Sequence, residues 1–426
     1  MSRARVTPRG PLRGETSVAG DKSITQRAIL LGALAPGVTR IRNANPGADA
    51  KAALGLVRSL GARVTTAKRE GVSVEGGALR ECDRVLDVRN SGTALRLATG
   101  MLAAQPFLSI LTGDASLRRR PVARVIEPLR ELGADLCARE GDQLPPIVVR
   151  GRPLHGAAVV TPVPSAQVKS ALLLAGIQAH GITSVRERAA TRDHLERMLP
   201  LFGAAVSREG NSVLVRGPAA LHPAEIDVPG DFSAAAFLVA AAALVPRSSL
   251  LIRDVGVNPT RTAFLDHARR AGALIEVRDT REISGEPVAE LSVRAGALLP
   301  VRVSREQVPG LIDELPLIAV LAAFAEGRSE VRGAEELRVK ESDRIAAIAA
   351  GLRAIGVRVE EHPDGWTIHG KGRVRGGMVD AAGDHRIAMA FLVAGLAAKD
   401  GVTVIGADVA EVSDPGFLPR LRGLSR

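Results

Sequence analysis

The sequence predicts an α/β protein of two similar domains, each of three repeated βαβαββ-type units, with a hinge and a cleft between them. Three observations carry that expectation. Six short polar openings, at Asp21, Asn90, Ser165, Asp231, Asp313 and Asp384, each lead into an Ala/Leu-rich run of helical length. Their starts are 66 to 82 residues apart, and so regular a spacing marks a repeated supersecondary unit. Between them an amphipathic helix, a Gly and a strand recur five times, as in AALGLVRSLGARV and HLERMLPLFGAAV. Finally, IDVPGD (Ile226–Asp231) and Arg13–Gly20 stand where six units would cross between two halves. Pro and Gly in the first favour an irregular link.

Each element has a local reason. Asp, Asn or Ser ahead of an apolar run starts a helix because its side-chain oxygen accepts from an unpaired first-turn amide. Runs such as DFSAAAFLVAAAAL have no polar face, so their helices should be buried. Gly61, Gly133, Gly203, Gly272 and Gly356 stand where a helix needs a left-handed residue to stop. Alternating strands follow, as in GVSVEG, SVLVRG and WTIHG. A unit therefore reads as strand, buried helix, strand, amphipathic helix and hairpin. The sixth is closed by the chain ends, with a helix over Phe417–Leu424 and a strand in RARVTP. The domain limits read as 14–228, and 1–13 with 229–426.

Composition narrows the function. With 46% hydrophobic residues, 2% aromatics and no tyrosine, Ala, Val and Leu must fill the core. The net charge of +11 is spread along the chain. Without a basic stripe or stacking aromatics, no nucleic-acid partner is expected. Cys82 and Cys137 match neither a disulfide framework nor a metal-ligand spacing. The longest apolar run, Ala234–Val245, falls short of the ~18 residues of a membrane span. No apolar signal core follows the N-terminal arginines, so the expectation is a cytoplasmic protein off the membrane, and a monomer. No phosphate-binding Gly-rich loop, zinc spacing, nucleophile elbow or dinucleotide fingerprint occurs, so neither cofactor nor metal is expected.

Chemistry gathers at the helix openings. Lys22, Ser23 and Arg27 put two cations and a hydroxyl at the first helix start, a cradle for phosphate or carboxylate. Asn90, Gly92 and Thr93 offer an amide-rich start, with Arg96 one turn on. Arg118–Arg120 precede Pro121, read as the first residue of a helix. Ser165, Gln167 and Lys169 repeat the hydroxyl-plus-donor theme. Asp313 and Glu314 open the fifth helix, Lys340 and Arg344 are read as sharing a helix face with Glu341 beside them, and Asp384–His385–Arg386 open the sixth. Taken singly, these are also ordinary caps, a charged loop or a salt-bridged surface helix. Taken together, cations recur in both halves, while the acid/base carboxylates Asp313 and Glu341 lie in one. Two anionic substrates with carboxylate-mediated proton transfer use that inventory.

At these residues the chain resembles the 5-enolpyruvylshikimate-3-phosphate synthase family. The strings GDKSITQRA, NSGTALR, RRRP, SAQVKSALLLAG, TRDH, IDELP, RVKESDR and GDHRIAM occur in the family's order between about residues 20 and 390. The resemblance implies two inside-out α/β domains that close over their ligands, and transfer of the enolpyruvyl group of phosphoenolpyruvate to the 5-hydroxyl of shikimate 3-phosphate. It implies that Lys22, Gly92, Arg120, Gln167, Arg344 and Arg386 hold phosphoenolpyruvate. Lys22, Ser23, Arg27, Ser165, Gln167, Arg192, Asp313 and Lys340 would hold shikimate 3-phosphate. Asn90, Thr93, Arg96, Asp384 and His385 support them. By the same analogy Asp313 takes the hydroxyl proton, and Glu341 with Lys22 moves the proton of the methylene. Gly92 is the small residue that the family needs for glyphosate to fit, which implies sensitivity.

Leu97, Ala166 and Asp414 depart from the family's common residues, and Val412–Pro415 lacks its C-terminal lysine. Two readings compete. The sister enzyme acting on UDP-N-acetylglucosamine uses a Lys-Asn pair at the first helix and a loop cysteine, whereas this chain has Lys22-Ser23 and no cysteine between Cys82 and Cys137. A non-catalytic repeat scaffold explains the repeats and the charge, but not carboxylates set among converging bases.

Overall fold

A computed structural model describes residues 2–67 and 71–424. Residues 1, 68–70 and 425–426, included in the domain limits above, lie outside the described residues. The chain divides into two compact units. One comprises Gly20–Val228 with Ile283–Glu286, and the other Met1–Ala19, Pro229–Glu282 and Pro287–Arg426. The limit read at residue 14 therefore falls at 20. Strand Arg13–Ser17 pairs in parallel with Ser249–Gly256, register Ser249↔Arg13, and belongs with residues that follow Pro229.

The unit of residues 20–228 holds three buried helices, Lys22–Leu34, Gly92–Leu102 and Ala166–Gly176. Each is followed by a strand, an amphipathic segment and a hairpin, giving three four-stranded sheets. In each sheet a lead strand runs parallel to the strand after the buried helix, and the remaining pairs are antiparallel. Every residue from Ile24 to Ala33 is buried, whereas strands such as Gly71–Gly76 alternate between buried and more exposed positions. Helices therefore form the inside of the unit and each sheet turns one face outward, the reverse of an ordinary α/β layer.

The second unit repeats the plan with helices Phe232–Leu244, Leu315–Phe324 and His385–Gly395. Its last sheet has three strands, closed by Arg3–Val6 antiparallel to Val402–Ile405, and helix Phe417–Leu424 follows. The two lead strands at the crossings are exchanged. Arg13–Ser17, before the first buried helix, lies in a sheet of the second unit, and Glu225–Asp227, before the fourth, pairs with Gly37–Arg42.

The five expected stop glycines all have positive φ, from 85° at Gly203 to 97° at Gly272. Other glycines serve close approach. A Cβ on Gly76, Gly217 or Gly370 would lie 2.0 Å from Gly32 O, 2.5 Å from Gly176 O or 2.1 Å from Ala325 O, at the C-terminal ends of buried helices. Helix Gly92–Leu102 meets helix Ala166–Gly176 in the same way, since a Cβ on Gly100 would stand 2.1 Å from Ala171 O. Backbone cannot step aside there. Gly100→Ala is expected to destabilise the protein by about 1–3 kcal/mol through overpacking. Thermal denaturation checks this, and an unchanged midpoint would show that the two helices can separate freely.

Candidate active site

In the unit of residues 20–228 the site is built on three helix starts. Asp21 Oδ1 accepts from Ile24 N at 2.9 Å and fixes the first turn that carries Lys22 and Ser23. Lys22 Nζ lies 2.9 Å from Asp49, a partner on the next helix. Arg27, one turn on and 2% exposed, donates to Ser23 O at 3.0 Å and to Ser170 Oγ at 2.9 Å. Its Nε has no hydrogen-bond partner among the described residues. Burial lowers the Arg27 pKa to about 10; Glu196 works against that shift and Arg192 adds to it. Like charge at Arg192 thus disfavours the charged form of Arg27, a cost that a bound anion would offset.

At the second opening the cap is Ser91 rather than Asn90. Its Oγ accepts from Ala94 N at 3.2 Å and donates to Gln26 Oε1 at 2.8 Å, tying the second helix start to the first. Asn90 is left to accept from Arg120 through its side-chain oxygen. Arg120 also donates to Ser116 Oγ at 3.2 Å. The helix expected to begin at Pro121 begins at Ala123 after Val122, so Arg120 closes a 3-10 turn instead of opening a helix. Arg96 donates to Gly92 O and Gln167 Oε1, both at 3.1 Å, and to Pro121 O at 2.9 Å. Gln167 Nε2 donates to Thr93 Oγ1 at 2.9 Å. Around Gly92 there is no spare volume, since a Cβ would lie 2.7 Å from Arg96 Nη1 and 3.4 Å from Arg120 Nη1.

Ser165 precedes the third helix and makes no side-chain cap bond. Lys169, which the sequence grouped with Ser165 and Gln167 as a donor, is fully buried, 2.7 Å from both Glu187 and Glu196. That burial sets it behind the site.

In the second unit the carboxylates and cations interleave. Glu314, not Asp313, is the residue that opens the fifth helix. Asp313 instead lies among three guanidiniums, 3.5 Å from Arg386 Nη2, 3.6 Å from Arg344 Nη1 and 3.7 Å from Arg261 Nη1. Arg386 also donates to Asp313 O at 2.9 Å. Arg344 is 1% exposed, and its other nitrogens meet Glu341 at 2.6 Å and Asp384 at 2.7 Å. Burial works to lower the Arg344 pKa, but Asp384, Glu341 and Asp313 outweigh it and the net shift is upward. The converse holds for Asp384, where burial works upward and Arg344 carries the pKa below the ordinary carboxylate value. Arg344 Nη1 has no hydrogen-bond partner among the described residues.

Asp384 also caps the last helix, accepting from Arg386 N at 2.9 Å beside the buried His385. Lys340 and Arg344 do not share a helix face. Asp343 caps a helix that starts at Arg344, and Lys340 precedes it, paired with Glu336 at 2.7 Å.

Sequence reasoning missed Arg261 and Ser233, and read Glu314 only as part of a helix opening. Arg261, 4% exposed, donates to Ser233 Oγ at 2.6 Å, and Ser233 in turn donates to Glu314. The available signal was a lone Arg after Asn258-Pro259-Thr260, an Asx turn in which Thr260 N bonds Asn258 Oδ1 at 2.9 Å. Among the described residues, no His/Cys/Asp/Glu group is arranged to hold a metal ion, and no helix is long and apolar enough to cross a membrane.

A family model described as EPSP synthase (3-phosphoshikimate 1-carboxyvinyltransferase) matches residues 6–421. A 3-phosphoshikimate 1-carboxyvinyltransferase of Pelobacter propionicus is 48% identical over 99% of this chain and 98% of its own. One from an Anaeromyxobacter species is 51% identical over 98% and 97%. An EPSP synthase structure from Acinetobacter baumannii matches 99% of this chain and 98% of its own, with a TM-score of 0.87 and 39% identity. The enolpyruvyl transferase NikO of Streptomyces tendae has a TM-score of 0.79 at 18% identity, a likeness of fold. With the family's model spanning nearly the whole chain and relatives near half identity over its length, this protein belongs to the EPSP synthase family, the 3-phosphoshikimate 1-carboxyvinyltransferases.

Proposed function

We propose that the protein transfers the 1-carboxyvinyl group of phosphoenolpyruvate to the 5-hydroxyl of shikimate 3-phosphate and releases inorganic phosphate, a step toward chorismate and the aromatic amino acids. The observation that carries this reading is Asp313 ringed by Arg261, Arg344 and Arg386, with Glu341 bonded to one of them. Such a cluster combines acid/base carboxylates with cations that bind carboxylate and phosphate through paired N–H groups.

Phosphoenolpyruvate becomes electrophilic at C2 only when C3 gains a proton. We assign that proton to Glu341, whose oxygen is steered by Arg344 at 2.6 Å. Asp313 takes the proton of the 5-hydroxyl as its oxygen bonds to C2. The tetrahedral intermediate then loses a C3 proton and phosphate, which restores the vinyl group. Glu341, deprotonated in the first step, is the base for the last. Lys22 holds substrate anion in this scheme and shares the C3 proton transfers with Glu341.

Lys22, Ser23, Arg27, Ser165, Gln167, Arg192, Asp313 and Lys340 bind shikimate 3-phosphate. Lys22, Gly92, Arg120, Gln167, Arg344 and Arg386 bind phosphoenolpyruvate. The open valences of Arg27 Nε and Arg344 Nη1 support anion binding in both units. Asn90, Thr93 and Arg96 hold Arg120 and Gln167 in place, as Asp384 and His385 do for Arg344 and Arg386. The protein works as a cytoplasmic monomer, consistent with two unpaired cysteines.

Phosphate release should require both phosphoenolpyruvate and shikimate 3-phosphate. Release from neither mixture, or release when UDP-N-acetylglucosamine replaces the shikimate, would discard the proposed acceptor. Asp313→Asn keeps size and polarity but cannot take the proton. It should lower kcat by about 10²–10⁴ with ligand affinity nearly unchanged; a scaffold would show no turnover to lose. Gly92→Ala should raise the KM for phosphoenolpyruvate roughly tenfold, the loss of one charge-assisted hydrogen bond of about 1.4 kcal/mol. It should also weaken inhibition by glyphosate, and steady-state kinetics with both ligands reads the two effects together.

A further inference from the structure

Lys169 is fully buried, yet it is charged and has two carboxylates at 2.7 Å, Glu187 and Glu196, each about as deeply buried. Removing three charges from water is expensive, and apolar side chains of similar volume usually serve stability at least as well. The geometry gives this group another task. Lys169 Nζ also donates to Thr191 O at 3.4 Å, and Thr191 Oγ1 donates to the second oxygen of Glu187. One ammonium therefore grips the segment from Glu187 to Thr191 at both ends. Arg192 is the next residue, and its charge adds to the lowering of the Arg27 pKa, which Glu196 opposes. The grip starts from the helix Ala166–Gly176, whose first turn carries Gln167 and is preceded by Ser165.

We infer that Lys169 is a positioning residue for substrate phosphate. It holds the segment that ends at Thr191, and so fixes the Arg192 that follows it as a contact to that phosphate. This rests on the proposed role of Arg192 as a contact to the phosphate of shikimate 3-phosphate. The specific consequence is that Lys169 acts only through Arg192. Truncating either residue should damage the same ligand, and truncating both should cost little more than one.

The test is a double-mutant cycle read in KM for each substrate. Arg192→Ala is expected to raise the KM for shikimate 3-phosphate about tenfold or more, one lost charge-assisted contact. Lys169→Met should approach that rise with the KM for phosphoenolpyruvate unmoved, Lys169→Arg should restore much of it, and the double variant should match Arg192→Ala. Thr191→Val leaves the buried ion pairs intact and loosens only the segment. It should raise the same KM at a smaller cost in melting temperature than Lys169→Met, so the inference stands or falls on it even if Lys169→Met does not fold. Multiplicative effects in the double variant, equal damage to both KM values, or a silent Thr191→Val would overturn the positioning role while leaving Arg192 as a contact. An Arg192→Ala enzyme with normal KM would overturn both.

Discussion

Phe232–Leu244 is buried at all thirteen of its residues, and the other repeat helices come close to that. A helix with no wet face can be polar only at its ends, and its first-turn amides cannot rely on water. That constraint shapes everything else. Asp21, Ser91, Asp231 and Asp384 cap four of the six buried helices, their side-chain oxygens standing in for water. Once the starts are polar, they are also where charged side chains can be held rigidly without breaching the apolar interior. Small side chains and backbone glycines then let the helices and strands close on each other. Much of the charged chemistry therefore collects at the helix starts, with Arg261 and the Lys169 cluster as buried exceptions.

The two units meet the same constraint with opposite electrostatics. Around Arg344 the positive charge is matched residue by residue with Asp384, Glu341 and Asp313, and the burial cost is outweighed. Around Arg27 the direct partners are a carbonyl and a hydroxyl, Arg192 adds repulsion, and burial prevails. One cluster is internally balanced and contains the carboxylates proposed to exchange protons. The other is under-compensated, and burial lowers the Arg27 pKa. The two halves share a repeat and differ in where their carboxylates lie.

Much of this was legible in the sequence because repeats report on one another. The period of the apolar runs gave the helices, and the stop glycines gave their ends, since no other residue tolerates that backbone cheaply. Local rules failed where tertiary bonds chose among neighbours. Ser91 caps in place of Asn90 because Asn90 is drawn to Arg120, and Glu314 displaces Asp313 because Asp313 faces guanidiniums. Pro121 was compatible with a helix start but its carbonyl is held by Arg96. Arg261 could not be found by period at all, because it lies outside the repeat helices, on a turn fixed by Asn258. Lys169 was misjudged for the opposite reason. Its two carboxylates lie 18 and 27 positions farther on, where no spacing rule connects them.

The exchanged lead strands also order events in time. The unit of residues 20–228 is nearly continuous in sequence, so its sheets can be completed once Glu225–Asp227 has been made. The other unit begins with Arg3–Val6 and Arg13–Ser17, but these edges must wait for Val402–Ile405 and Ser249–Gly256. During synthesis these two strands therefore lack those partners until the residues of the other unit have been made. Arg3, Arg5, Arg9 and Arg13 put positive charge along those strands, the kind of side chain that discourages edge-to-edge pairing.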